Sequence, residues 1–168
     1  MTTPSAAYSR LQIALHWLVV AMLAVQFFTH EGVHDIERAA RRGTEVEPFS
    51  LLLAGIHKWD GIAILAVVAL RLVLRATHGA PAPEPGTGLW QERAARYTHV
   101  ALYALLFAVP LTGAAAVWIT SEAGDLHETL VTALWTVAFL HVAAALFHYA
   151  VQRDNVLQRM VPVLRLRG

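Results

Sequence analysis

With 57% of its 168 residues hydrophobic and only 15% charged, the chain is too apolar for an ordinary water-soluble domain. A formal net charge of +1 leaves no basic footprint for nucleic acid. The absence of cysteine excludes disulfides, iron–sulfur clusters, thiolate zinc sites and covalent c-type haem, so the nine histidines are the strong nitrogen ligands.

Taken in order, the chain reads as one integral membrane domain over residues 1–168, an all-α four-transmembrane-helix bundle. A polar leader (1–10) precedes a first apolar run at 11–29, with His16 and Trp17 near its start. No small-residue cleavage site follows that run, so it is expected to stay as an anchor. Residues 30–50 are polar, rich in acids and arginines, and read as an outer loop. The second run, 51–75, carries His57, Lys58 and Asp60 early and Arg71 and Arg75 late. The prolines and glycines of 78–88 exclude continuous helix. Residues 89–96 fit an interfacial turn with Trp90 at headgroup level. The third run, 97–119, has Pro110 and Gly113 in its middle, and the six-residue connection Thr120–Asp125 makes the fourth run, 126–150, its antiparallel neighbour. A basic tail follows. Each run is near the length of about 20 residues that a crossing helix needs.

Orientation follows from the basic residues. Arg10, Arg71, Arg75, Arg93, Arg96, Arg153, Arg159, Arg165 and Arg167 fall on one side; Arg38, Arg41, Arg42 and Lys58 fall on the other among many acids. The positive-inside rule then places both termini in the cytoplasm.

The fourth run carries His127, His141 and His148, spaced by 14 and 7 residues. At ~100° per residue, 14 steps drift about 40° from whole turns, so the three imidazoles share a stripe. His127 and His141 lie roughly 21 Å apart along the axis. Ionisable groups at such depths are costly and usually functional. By depth, His57 pairs with His127 toward the outside and His16 with His141 toward the inside. A b-type haem takes two imidazoles from opposite faces, and helix bundles build such sites between facing helices. The competing readings are polar glue between helices or a proton relay for His16, His57 and His141, and an interfacial position for His127. His148, near the cytoplasmic boundary, fits snorkelling better than ligation. His99 has no partner assigned at its depth and is read as packing or a haem-propionate or quinone contact. His30 and His34 have metal-compatible spacing, but in a solvated segment they read as a polar helix face; His78, beside the Gly/Pro linker, says little.

Two motifs are specific: Arg-Leu-x-x-x-x-His-Trp at 10–17, and His-Glu-Thr-Leu at 127–130 with a second histidine 14 residues on. With them, nearly the whole chain resembles the bacterial cytochrome b561 family, and within it the four-helix superoxide oxidases. The resemblance implies two haem b groups, with axial pairs His16/His141 and His57/His127, and electron transfer from superoxide to ubiquinone across the bacterial inner membrane. It also implies that His148 is not a ligand. Two departures stand out. The connection between helices three and four is short here, whereas superoxide oxidases have a long one, and the first outer loop is longer and more acidic.

On this reading Lys58, one residue past a ligand, attracts superoxide, with Arg38, Arg41 and Arg42 as further cations; pairing of Lys58 with Asp60 or a propionate competes equally. His148, Arg71, Arg75 and Ser9 are candidates for the quinone and its protons, against the alternative that the arginines hold propionates or lipid phosphates. The expected partners are membrane lipid, quinone, and superoxide or a redox protein. The alternative function is a cytochrome b subunit passing electrons between quinone and a hydrogenase, dehydrogenase or c-type cytochrome. A histidine-based metal or proton transporter is a third reading.

Overall fold

Four long helices, with the connections and ends between them, account for residues 7–84 and 86–161, the part of the chain that the computed structural model describes. Helix α1 (Arg10–Arg42) opens on a capping box: Ser9 Oγ accepts from the Gln12 amide at 3.2 Å, and Gln12 Oε1 accepts from the Ser9 amide at 2.9 Å. It closes on Gly43 at φ 65°, the left-handed C-cap that glycine adopts without steric cost. Helix α2 (Pro48–His78) has proline in its first turn, where the missing N–H has no partner to lose. Helix α3 (Leu89–Trp118) starts where the Gly88 amide donates to Gln91 Oε1 and runs through Pro110 without breaking. Helix α4 (Ala123–Phe147) passes into a π-helical turn, His148–Gln152, that ends on Arg153 at φ 54°. A short 3₁₀ turn, Leu157–Arg159, follows.

All four helices are long and apolar enough to cross a membrane. They pack in series, α1 on α2, α2 on α3 and α3 on α4; α1 and α4 meet where Phe27 packs edge-on to Trp135 at 5.7 Å. Val19, Ile64 and Val68 form a small buried apolar cluster, flanked by Leu23, Tyr103 and Phe107. Phe28, Trp90 and Ile119 point outward, as expected when the solvent is lipid.

Two expectations are corrected. The outer loop expected from residue 30 is instead helix to Arg42. Its acids and arginines bond along the helix: Arg38 donates to Glu31 at 2.7 Å and also pairs with Asp35. Its small residues Gly32 and Ala39 are buried, and Gly32 lies against the start of α2. Periodic burial and intrahelical ion pairs sustain a helix that composition alone reads as loop. At about 1.5 Å per residue α1 is roughly 50 Å long, of which the apolar 11–29 segment covers about 28 Å. Likewise residues 89–96 form the first turns of α3 rather than a separate interfacial turn, because no breaker intervenes after the Gly88 cap.

Candidate functional site

The α3–α4 hairpin turns near residue 120, and antiparallel geometry sets opposite each other positions equally far from the turn. Gly113 and His127 are each seven residues from it, and His99 and His141 each 21. The first equivalence is sterically visible. A Cβ at Gly113 would lie 2.9 Å from His127 Cε1 and 3.1 Å from Nδ1, so glycine is what lets the imidazole lie against α3. There His127 Nδ1–H donates to the Val109 carbonyl at 2.8 Å, with Thr112 Oγ1 at 3.4 Å. Holding Nδ1 in this way leaves Nε2 available as a ligand.

Across the bundle His57 of α2 faces His127. Its Nδ1 lies 3.4 Å from Thr29 Oγ1, whose own hydroxyl donates to Val25 O at 2.7 Å, so the ring N–H can donate to threonine. One turn of α1 before Thr29, Gln26 Nε2 donates to the His57 carbonyl and to Asp60 Oδ2, both at 2.8 Å, tying α1 to α2 beside this histidine. The centroids of His57 and His127 are 6.5 Å apart, with ring planes at 83°. Two imidazoles on opposite faces of one iron have centroids about 6.3 Å apart, from Fe–N bonds near ~2.0 Å. This outer pair therefore fits a bis-imidazole iron site in donor type, tautomer and separation.

The inner level is a larger cluster. His99 and His141 are in edge-to-face contact at 5.3 Å, and His99 Nδ1–H donates to Ala95 O at 2.6 Å. His99, which sequence reasoning left without a partner, thus packs directly on His141. His16 of α1 lies beside this pair, and its Nδ1 is 3.4 Å from the Arg71 guanidinium. Arg71 also donates to the Gln12 carbonyl at 3.2 Å. The donor chemistry suits a haem here too: imidazoles for iron, and a half-buried guanidinium beside them that could meet a propionate.

The remaining candidates have local partners. Lys58 lies over the Trp59 ring at 5.3 Å, while Asp60, its alternative partner, is taken by Gln26. Arg38 is paired with Glu31 and Asp35; Arg41 and Arg42 form the last turn of α1. His148 Nδ1–H donates to Asp154 at 2.5 Å across the π-turn, an aspartate that sequence reasoning did not single out. Ser9 caps α1, and Arg75 is half-buried in the last turn of α2. Thr29, Gln26 and Gly113 were also missed. For Gly113 a signal existed in the hairpin symmetry, whereas Thr29 and Gln26 are ordinary residues of an apolar run until α2 is placed beside them.

A family model described as prokaryotic cytochrome b561 matches residues 7–163. Cytochrome b561 homolog 1 of Escherichia coli (strain K12) is 27% identical, with 92% of this chain and 97% of the relative covered. Cytochrome b562 of Cereibacter sphaeroides is 30% identical, covering 95% and 98%. A probable superoxide oxidase, CybB, of Yersinia pestis is 29% identical, covering 94% and 97%.

Proposed function

The chain belongs to the prokaryotic cytochrome b561 family of membrane electron-transfer proteins, and we propose that it is a two-haem superoxide:ubiquinone oxidoreductase. On this reading it lies in the bacterial inner membrane with both termini cytoplasmic. The observation that supports it best is α4 itself: one helix places His127 opposite His57 and carries His141, roughly 21 Å further along, into a second histidine cluster. Haem iron held at each level would supply one-electron redox chemistry.

The chain's own residues would do the rest. His57 and His127 would hold the outer group and His16 and His141 the inner one, with His99 packed beside His141 and Arg71 set to receive a propionate. Val109 O and Thr29 Oγ1 fix the outer rings through Nδ1. Lys58, at the outer end of α2 and, among the described residues, without a carboxylate ion pair, would raise the local potential for an anionic donor. Toward the cytoplasmic side the His148–Asp154 pair would hold a proton close to where a reduced quinone needs it, with Arg71, Arg75 and Ser9 around the same end. The similarity to a probable superoxide oxidase, over 94% of the chain, supports superoxide as donor.

The experiment is a haem count on purified protein followed by stopped-flow reduction with superoxide. Two haems per chain and reduction abolished by superoxide dismutase are expected. Haems that reduce no faster than in the dismutase control would reject superoxide as donor and favour a redox-protein partner. A colourless protein after haem supplementation would favour a transporter.

A further inference from the structure

Beyond its apolar segment α1 runs alongside the first turn of α4, and three side chains with no place in the redox machinery converge there. His34 and Glu37 come from α1 and Glu128 from α4; each offers one ligand atom, and these atoms lie within 4.8 Å of one another. His34 Nδ1 is 3.7 Å from Glu37 Oε2. With metal–ligand bonds near ~2.0 Å, a tetrahedral site has neighbouring ligand atoms about 3.3 Å apart, so the His34–Glu37 pair is close to that spacing and the set as a whole would close by up to about 1.5 Å through side-chain rotation to share one ion.

The charges point the same way. Two carboxylates on different helices are brought together, and among the described residues neither has an ion pair with lysine or arginine; the adjacent Arg38 is occupied by Glu31 and Asp35. Facing like charges repel unless a proton or a cation lies between them. A second imidazole stands by: His30, four residues before His34 on α1, has its ring 5.7 Å from that of His34. His30 Nδ1–H donates to Phe27 O, and its Nε2 turns toward the Glu31 carboxylate at 3.9 Å. One imidazole with two carboxylates suits zinc-like ions; magnesium and calcium prefer all-oxygen sets, and soft cuprous copper prefers sulfur.

We propose that His34, Glu37 and Glu128 form a binding site for a divalent transition cation of the zinc class, which joins the outer extension of α1 to α4. The site is separate from the iron-binding histidines and does not depend on the superoxide reading.

The test uses the haem-loaded protein, stripped with a chelator, equilibrated with micromolar zinc and desalted, with zinc and haem counted together and thermal unfolding followed by circular dichroism. The wild type is expected to retain one zinc per chain and to melt at a higher temperature with it. His34→Ala and Glu128→Gln should each lose the zinc and the thermal shift while keeping the wild-type haem count. His78→Ala, outside the cluster, should keep all three properties. Zinc retention unchanged in both cluster variants, or no zinc retained by the wild type, would overturn the proposal. Because haem is counted in the same sample, failure of the zinc site is distinguishable from failure of the haem assignment.

Discussion

A metal-ligating imidazole almost always has its second nitrogen held, and on the proposed reading this gives individual residues of the outer level their weight. Val109 O holds His127 at 2.8 Å, Thr29 Oγ1 holds His57 at 3.4 Å, and Gly113 provides the room. Gly113→Ala would press a methyl group on the His127 ring; outer-haem affinity should fall by about 10-fold, the usual effect of disturbing a ligand's support. A haem titration of the variant checks this, and the inner haem should be unaffected. At the inner level His16→Ala and His141→Ala should each remove one haem, whereas His99→Ala and His148→Ala should leave two. Pyridine haemochrome counts decide. Loss of a haem in His99→Ala with retention in His16→Ala would reassign the inner pair to the two rings already in contact. His57→Ala or His127→Ala should remove the outer haem alone.

Among the elements, α4 carries the two levels and α1 fixes the outer end. Helices α1 and α2 approach closely at Gly32, where an added Cβ would come within 2.6 Å of both Leu53 Cβ and the Ser50 carbonyl and 2.8 Å from the Ala54 nitrogen. Gly32→Ala should therefore cost about 1–3 kcal/mol by overpacking, read as a lowered unfolding midpoint. One turn on, the Ser50 hydroxyl donates to Asp35 at 2.6 Å and, with Arg38, holds this carboxyl below its ordinary range. A carboxylate whose titration is depressed by folding contributes stability above its ordinary range and loses it as pH falls through the lowered value. The α1 extension should thus loosen on acidification below the normal carboxylate range. Asp35→Asn should flatten that dependence, as measured by hydrogen exchange over residues 30–42.

Over the whole molecule, the end where α1 begins and the 3₁₀ turn lies is stitched by polar contacts between distant segments. Gln12 Nε2 donates to Gly79 O at 3.1 Å, Trp17 Nε1 to Met160 O at 2.9 Å, and Arg159 to Glu84 at 2.7 Å and Ala82 O at 2.6 Å. This end also contains the Arg71–His16 contact and the His148–Asp154 pair. The other end has the α1 extension, Lys58 and the short α3–α4 turn. An anionic donor would meet Lys58 there, so Lys58→Ala should slow reduction by superoxide several-fold at low salt and leave the haem count unchanged. The effect should shrink as salt is raised, because screening removes steering.

Much of this was legible from the chain alone. Apolar runs near 20 residues and the Gly/Pro linker determine a four-helix membrane bundle, because lipid requires every crossing segment to satisfy its own backbone, while the 14-residue histidine spacing and the Arg-Leu-x-x-x-x-His-Trp motif carry the resemblance to the cytochrome b561 family. Hydropathy could not separate a charged loop from a charged helix, so residues 30–42 and 89–96 were legible only as polar segments. Which groups meet was decided by the tertiary structure. Folding the α3–α4 hairpin about residue 120 set His141 against His99 and fitted His127 over Gly113, and laying α1 along α2 brought Gln26 and Thr29 to His57. Only the α1 extension passing beside α4 brought His34 and Glu37 to Glu128. Helical spacing determines which residues share a face and at what depth, whereas contact between helices depends on their rotation and offset, which packing selects.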